Sequence, residues 1–253
     1  MKTAICGKGG VGKSTISAFL INALARQGRK VLAIDADPSP HLARLLGFPA
    51  DQVPEPVAQM TDLLQERTGR EGPFYNMNPK VSDLPERFLV KQGNISLMVL
   101  GAIQQGGAGC ACAENAVLRN LLNMLLLSPD EDVILDMEAG VEHLGRGTIA
   151  ATDHILVVVQ PYRGSIETAA KIKSLAADLG IKSLHIVANN VQDKEDMEFI
   201  EQETGIRPIA AFHVSDEVRR AERKGIPLSE AGGEFGRTAS ELVKKLEEIN
   251  AKQ

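Results

Sequence analysis

The sequence predicts one α/β domain, a doubly wound, mostly parallel sheet with helices on both faces. Three observations carry that prediction. Strand-length apolar runs alternate with helix-length segments along most of the chain. Runs such as HILVVVQ (154–160) and LHIVANN (184–190) are almost continuously apolar, as strands are when helices cover both faces of a sheet. The opening run KTAIC is followed by a glycine-rich loop and then by TISAFLINALARQG, a helix-like stretch that ends at Gly28.

Taken in order, strands are expected at 2–6, 30–35, 95–100, 132–136, 154–160, 184–189 and 207–211. Helices are expected near 14–27, 114–127, 163–179, 194–204, 216–224 and 235–250. The last helix places Phe235, Ala239, Leu242, Val243, Leu246 and Ile249 at helical spacing. Its other face mixes Lys and Glu, which suits packing on a core better than lying on a membrane. Residues 49–92 break the rhythm with Pro49, Pro54, Pro56, Pro73, Pro79 and Pro85 and one short helical stretch, MTDLLQERTG. That segment lacks the apolar residues for a core of its own and reads as an insertion on one edge of the domain. Neither an internal repeat nor a low-complexity segment is apparent.

At 253 residues the chain can bury a sizeable core as a single domain. Apolar residues make up 43%, tryptophan is absent and aromatics are 4%, so that core rests on Leu, Ile, Val and Ala. A net charge of −5 argues against non-specific nucleic-acid binding as the main activity. No apolar run reaches transmembrane length, and a signal peptide would sacrifice the first strand. Three cysteines do not make a disulfide scaffold in a chain of this length. The expectation is a cytoplasmic protein acting neither on nucleic acid nor at a membrane.

The loop GKGGVGKST (7–15) meets the pattern G-x-x-x-x-G-K-[ST] through Gly7, Gly12, Lys13 and Ser14. Glycines let the backbone wrap so that amides point at phosphate oxygens, and the following helix adds its positive end. Lys13 would reach the β- and γ-phosphates of ATP, and the Ser14 hydroxyl would ligate Mg²⁺. Gly9, Gly10, Val11 and Thr15 complete the cradle. Lys8 exceeds what one such loop needs. It is either a solvated surface charge or a group that reaches a nucleotide held by another copy, and spacing alone does not choose.

Two further segments end strands with acids. VLAIDADPSPHL (31–42) carries Asp35 and Asp37, placed either to serve Mg²⁺ or a water, or to cap the proline-containing turn. VILDMEAGVEHLGRGT (133–148) ends its strand at Asp136, the position of an acid that holds the metal through a coordinated water. Gly140 would admit the γ-phosphate close to the backbone. Base recognition belongs late in a doubly wound fold, beyond the strand ends. There IVANNVQD supplies Asn189, whose amide can both donate and accept, and Asn190, which fits a strand-end turn.

LGAIQQGGAGCACAEN places Cys110 and Cys112 as a C-x-C pair between a strand and a helix. Thiolates suit Zn²⁺, Ni²⁺ and iron–sulfur clusters, but two of them do not complete a tetrahedral site. Cys6 lies in the first strand as a small hydrophobe, and the five histidines are scattered. A two-fold dimer would supply four sulfurs.

KGGVGKS resembles the deviant Walker A motif of the SIMIBI-class P-loop ATPases, which include the MinD, ParA and nitrogenase iron-protein groups. The string VILDMEAGVEHLGRGT, with Glu138-Ala139-Gly140 where MinD and ParA proteins carry a proline, resembles the CooC-type ATPases and their AcsF-like relatives. The resemblance covers nearly the whole chain and is weakest over 49–92. It implies a MinD-like homodimer in which Lys8 contacts the partner's nucleotide, Asp37 orients the attacking water with Asp35 in support, and Asn189 lies against adenine. It also implies that residues 212–225 pack the far side of the base. Cys110 and Cys112 of both copies would share Ni²⁺ or Zn²⁺. The activity implied is ATP hydrolysis to ADP and phosphate, coupled to nickel insertion into a carbon monoxide dehydrogenase or acetyl-CoA synthase-type enzyme. The alternatives are an iron-protein-like electron-transfer ATPase with an intersubunit iron–sulfur cluster, or a MinD/ParA-like positioning ATPase.

Overall fold

The computed structural model describes residues 1–71, 74–101, 110–127, 131–138, 151–181 and 183–252, without the side chains of 70, 71, 74, 75 and 110–112. Eight strands form one sheet: β1 (Lys2–Cys6), β2 (Val31–Ala36), β5 (Val90–Gln92), β6 (Ile95–Val99), β7 (Asp132–Met137), β8 (His154–Val159), β9 (Leu184–Val191) and β10 (Ala210–His213). Their order is β10-β9-β8-β1-β7-β2-β6-β5. All neighbours are parallel except β5, which pairs antiparallel with β6 at the edge. A separate small hairpin joins β3 (Arg70–Glu71) to β4 (Phe74–Tyr75). The fold is therefore the predicted doubly wound α/β architecture.

Alternate residues of each strand serve opposite cores, which explains the unbroken apolar runs. Ile155, Val157 and Val159 join the core under α3 (Thr61–Thr68), α5 (Cys110–Leu126), α6 (Arg163–Asp178) and α7 (Lys194–Thr204). Leu156 and Val158 join the other core, beneath α1 (Lys13–Arg26), α2 (Leu42–Leu46), α8 (Asp216–Lys224) and α9 (Gly233–Asn250). Within this second core Phe235 of α9 stacks at a tilt on Phe19 and Phe212, with ring centroids 5.1 and 5.0 Å away. The expected apolar stripe of the last helix is thus a core face.

Several boundaries differ from expectation. The last strand begins at Ala210 rather than 207, because Pro208 has no N–H to give the ladder. Segment 49–92 includes α3, α4 (Leu84–Phe88) and β5, and its strand extends the sheet edge. The short helix α2 has no periodic signal long enough to announce it. Helix α5 starts at Cys110 rather than 114, so the backbone of both cysteines belongs to the helix and not to the loop before it. No helix among the described residues is long and apolar enough to cross a membrane.

Candidate nucleotide site

The site forms where β1, β2, β7, β8 and β9 end on one rim of the sheet. Gly7 has φ +141°, and a side chain there would place its Cβ 2.5 Å from the Val158 carbonyl oxygen. Gly12 has φ +92°, and its Cβ would fall 2.3 Å from Asn189 Nδ2. Both positions therefore require glycine, for conformation and for space. Asn189 Nδ2 donates to the Val11 carbonyl at 2.7 Å, and Gln160 Nε2 donates to the same oxygen at 3.4 Å. The ends of β8 and β9 thus hold the loop from behind. Lys13 is buried, with Nζ 3.5 Å from the Lys8 carbonyl, and Ile16 N donates to the Gly12 carbonyl to start α1.

The Lys8 side chain is exposed. Its ammonium lies against Gly164 in the first turn of α6, 2.5 Å from where a Cβ would stand. A helix N-terminus is an unfavourable place for a cation.

The acids occupy two levels. In the lower one, Asp35 and Asp136 are register partners on β2 and β7. Asp35 accepts from the amides of Leu42 at 2.9 Å and Asp37 at 3.3 Å, so it fixes the β2 turn into α2. Burial raises its pKa, against the pull of those hydrogen bonds. Asp136 is fully buried, and no backbone amide among the described residues donates to its carboxylate. Burial and then the nearby Asp35 charge push it up to about 7, with Ser14 and Lys13 pulling the other way. A buried carboxylate without backbone donors beside a P-loop serine suits a hydrated divalent cation, so Ser14 and Asp136 fit Mg²⁺.

In the upper level, Asp37 accepts from the Ser39 amide at 2.9 Å. It lines a cavity of about 410 Å³ together with Gly10, Gly12, Lys13, Ser14 and Glu138. Glu138, Glu222 and Arg44 line the same cavity, and no role for them was legible in the residue pattern. Thr15 Oγ1 donates to Glu222 Oε1 at 2.7 Å, and Arg44 Nη1 donates to the Glu222 carbonyl at 3.3 Å. Glu222 belongs to the 212–225 segment expected beside the base. Only its place on α8 brings it to the loop.

Gly140 lies outside the described residues, as do the side chains of Cys110 and Cys112. Among the described residues no group of three or more His, Cys, Asp or Glu comes together as a metal site. Asn190, expected in a strand-end turn, instead lies inside β9 with φ +58°, where the pairing with β10 steps from Asn189 to Val191, and it donates from Nδ2 to the Tyr162 hydroxyl at 3.1 Å.

A parallel sheet with a glycine loop, a buried lysine and a strand-end carboxylate over one rim defines a P-loop nucleotide-binding protein. The chain belongs to the CobQ/CobB/MinD/ParA nucleotide-binding domain family, whose model matches residues 2–228. It is 46% identical over 205 residues to the carbon monoxide dehydrogenase accessory protein CooC of Rhodospirillum rubrum, covering 79% of this chain and 78% of that one. An uncharacterized ATP-binding protein of Methanocaldococcus jannaschii is 41% identical, with 96% and 98% of the two chains covered. In structure the chain resembles the septum site-determining protein MinD complexed with Mg-ADP from Pyrococcus horikoshii. There the TM-score is 0.69 at 20% identity, over 99% of this chain and 98% of that one. Within the family, therefore, this is a CooC-like ATPase.

Proposed function

We propose that the protein is a dimeric, Mg²⁺-dependent ATPase that couples ATP binding and hydrolysis to nickel insertion into a carbon monoxide dehydrogenase or acetyl-CoA synthase-type enzyme. The observation that carries this reading is the C-x-C pair, Cys110 and Cys112, in a chain 46% identical to a carbon monoxide dehydrogenase accessory protein. In this reading the cysteines of two copies give four thiolates, and nickel or zinc is cargo rather than a resident cofactor.

The chemistry at the nucleotide is positioning and charge stabilisation. The loop amides and Lys13 hold the phosphates, while Ser14 and Asp136 would hold Mg²⁺, which supplies charge neutralisation on the phosphate oxygens. Asp37 orients the attacking water. Lys8 reaches the nucleotide of the partner copy, and Asn189 serves the adenine as well as the loop. With the γ-phosphate present the two copies close, and with its loss they part, so ligands shared between copies change affinity with the cycle.

Metal titration with and without nucleotide tests the reading. One Ni²⁺ or Zn²⁺ per dimer is expected, weaker as pH falls because thiolates must lose protons to bind. Binding is expected to be greatly weakened by C110S or C112S, since each removes two sulfurs from the dimer. Stoichiometric metal in the double serine variant would end the nickel-insertion reading.

A further inference from the structure

Asp136 and Glu138 leave β7 on the same side. Leu135 and Met137 face the core under α5, while Ile134 faces the core under α1, so the even positions point toward the P-loop helix. The pairing of β2 with β7 runs Asp35 with Asp136 and Ala36 with Met137. One step further along both chains stand Asp37 and Glu138, and both line the nucleotide cavity with Lys13 and Ser14. The lower pair of acids is buried and serves the turn and the metal position. The upper pair is open to the cavity, Asp37 half-buried and Glu138 exposed. No hydrogen bond or ion pair to another described residue occupies the Glu138 carboxylate.

We infer that Glu138 is a second water-orienting carboxylate for ATP hydrolysis, acting opposite Asp37. One water has two O–H bonds. When one is given to each carboxylate, the oxygen lone pair is turned away from both acids and toward the phosphate held by Lys13. Two acceptors fix that orientation where a single acceptor leaves the water free to rotate. The water oxygen forms a bond to the γ-phosphorus. The bond from that phosphorus to the β–γ bridging oxygen breaks, and its electron pair leaves with ADP. The water's proton passes to one of the two carboxylates and from there to solvent, so inorganic phosphate and ADP are the only products. A negative side chain near the γ-phosphate adds nothing to ground-state binding. Its benefit appears only as the water reacts.

The inference rests on the role proposed for Asp37, so the two residues are assayed together. Single-turnover and steady-state ATP hydrolysis are measured for E138Q, E138D, D37A and the double variant D37A/E138Q, and binding of a non-hydrolysable ATP analogue is measured for each. E138Q is expected to lower kcat about tenfold, less than the 10²–10⁴ range for a sole acid–base group because Asp37 remains. Its affinity for the analogue should be unchanged or tighter, and E138D should recover part of the rate. Because both acids hold one water, E138Q should cost less in the D37A background than alone. Wild-type turnover in E138Q, with D37A inactive, overturns the role of Glu138 and leaves that of Asp37. A loss of analogue binding equal to the loss of rate also overturns it, since the residue would then act in binding. Unaltered turnover in D37A removes the pair altogether. Glu138 is exposed, so the substitution is not expected to disturb folding, and an unchanged melting temperature confirms this.

Discussion

Asp35 and Asp136 stand side by side as register partners on adjacent parallel strands, both fully buried, yet only Asp35 accepts hydrogen bonds from backbone amides. Two acids so close, in so little water, resist carrying two charges. The arrangement makes sense for a site completed by a cation, and it exacts a measurable cost when the cation is absent.

Ionisation of Asp136 should accordingly cost the nucleotide-free protein stability as pH rises. Asp136 is held up at about 7 in the folded chain against 3.8 for an ordinary aspartate, so between those values the folded state binds more protons than the unfolded one. The stability this group contributes is then fully present below about pH 4, is lost as pH climbs, and changes no further above 7. Each pKa unit is worth about 1.4 kcal/mol, which bounds the effect at a few kcal/mol. D136N removes the ionisation, flattens this slope and should raise the melting temperature at pH 8 by about 2 °C or more. Thermal denaturation from pH 4 to 8 checks this, and an unchanged slope in D136N would assign the effect elsewhere. Mg²⁺-dependent nucleotide binding in the wild type should weaken as pH is lowered through about 7, because the metal must displace the proton.

Asn189 should matter to the loop as well as to the base. Its amide gives Val11 a 2.7 Å hydrogen bond and packs where a Gly12 side chain would be. N189A is expected to weaken binding of inorganic tripolyphosphate about fivefold, the equivalent of roughly 1 kcal/mol for one lost hydrogen bond. Binding of ATP should weaken at least as much. Calorimetric titration with both ligands separates the two roles. If only ATP binding suffers, the contact to Val11 contributes nothing to the phosphate cradle.

Lys8 should act between copies. In one copy its ammonium rests at the start of α6, where the helix dipole repels it, so little holds it there. K8A should leave nucleotide binding to a single subunit nearly intact and impair dimerisation by a non-hydrolysable ATP analogue. Light scattering with ADP and with the analogue measures this. A variant that dimerises like the wild type would make Lys8 a surface charge.

The features of this chain that have local causes could be read from the residues. Glycines at 7 and 12, a lysine and a serine just after, and unbroken apolar runs ending in Asp35 and Asp136 were legible because backbone conformation and two-sided burial each leave a mark on neighbouring residues. The parallel sheet followed from the alternation of those runs with helices. Which strand ends meet depends on the packed sheet. β7 inserts between β1 and β2, and that crossover places Asp136 beside Asp35 and carries Glu138 to the level of Asp37. Asn189 reaches Val11 across 178 residues, and Glu222 reaches Thr15 across 207, through helices and strands whose local patterns would be the same had they packed elsewhere. Periodicity records which face of an element is buried. It does not record what the element is buried against, because burial favours any apolar partner, and only the completed sheet order names one.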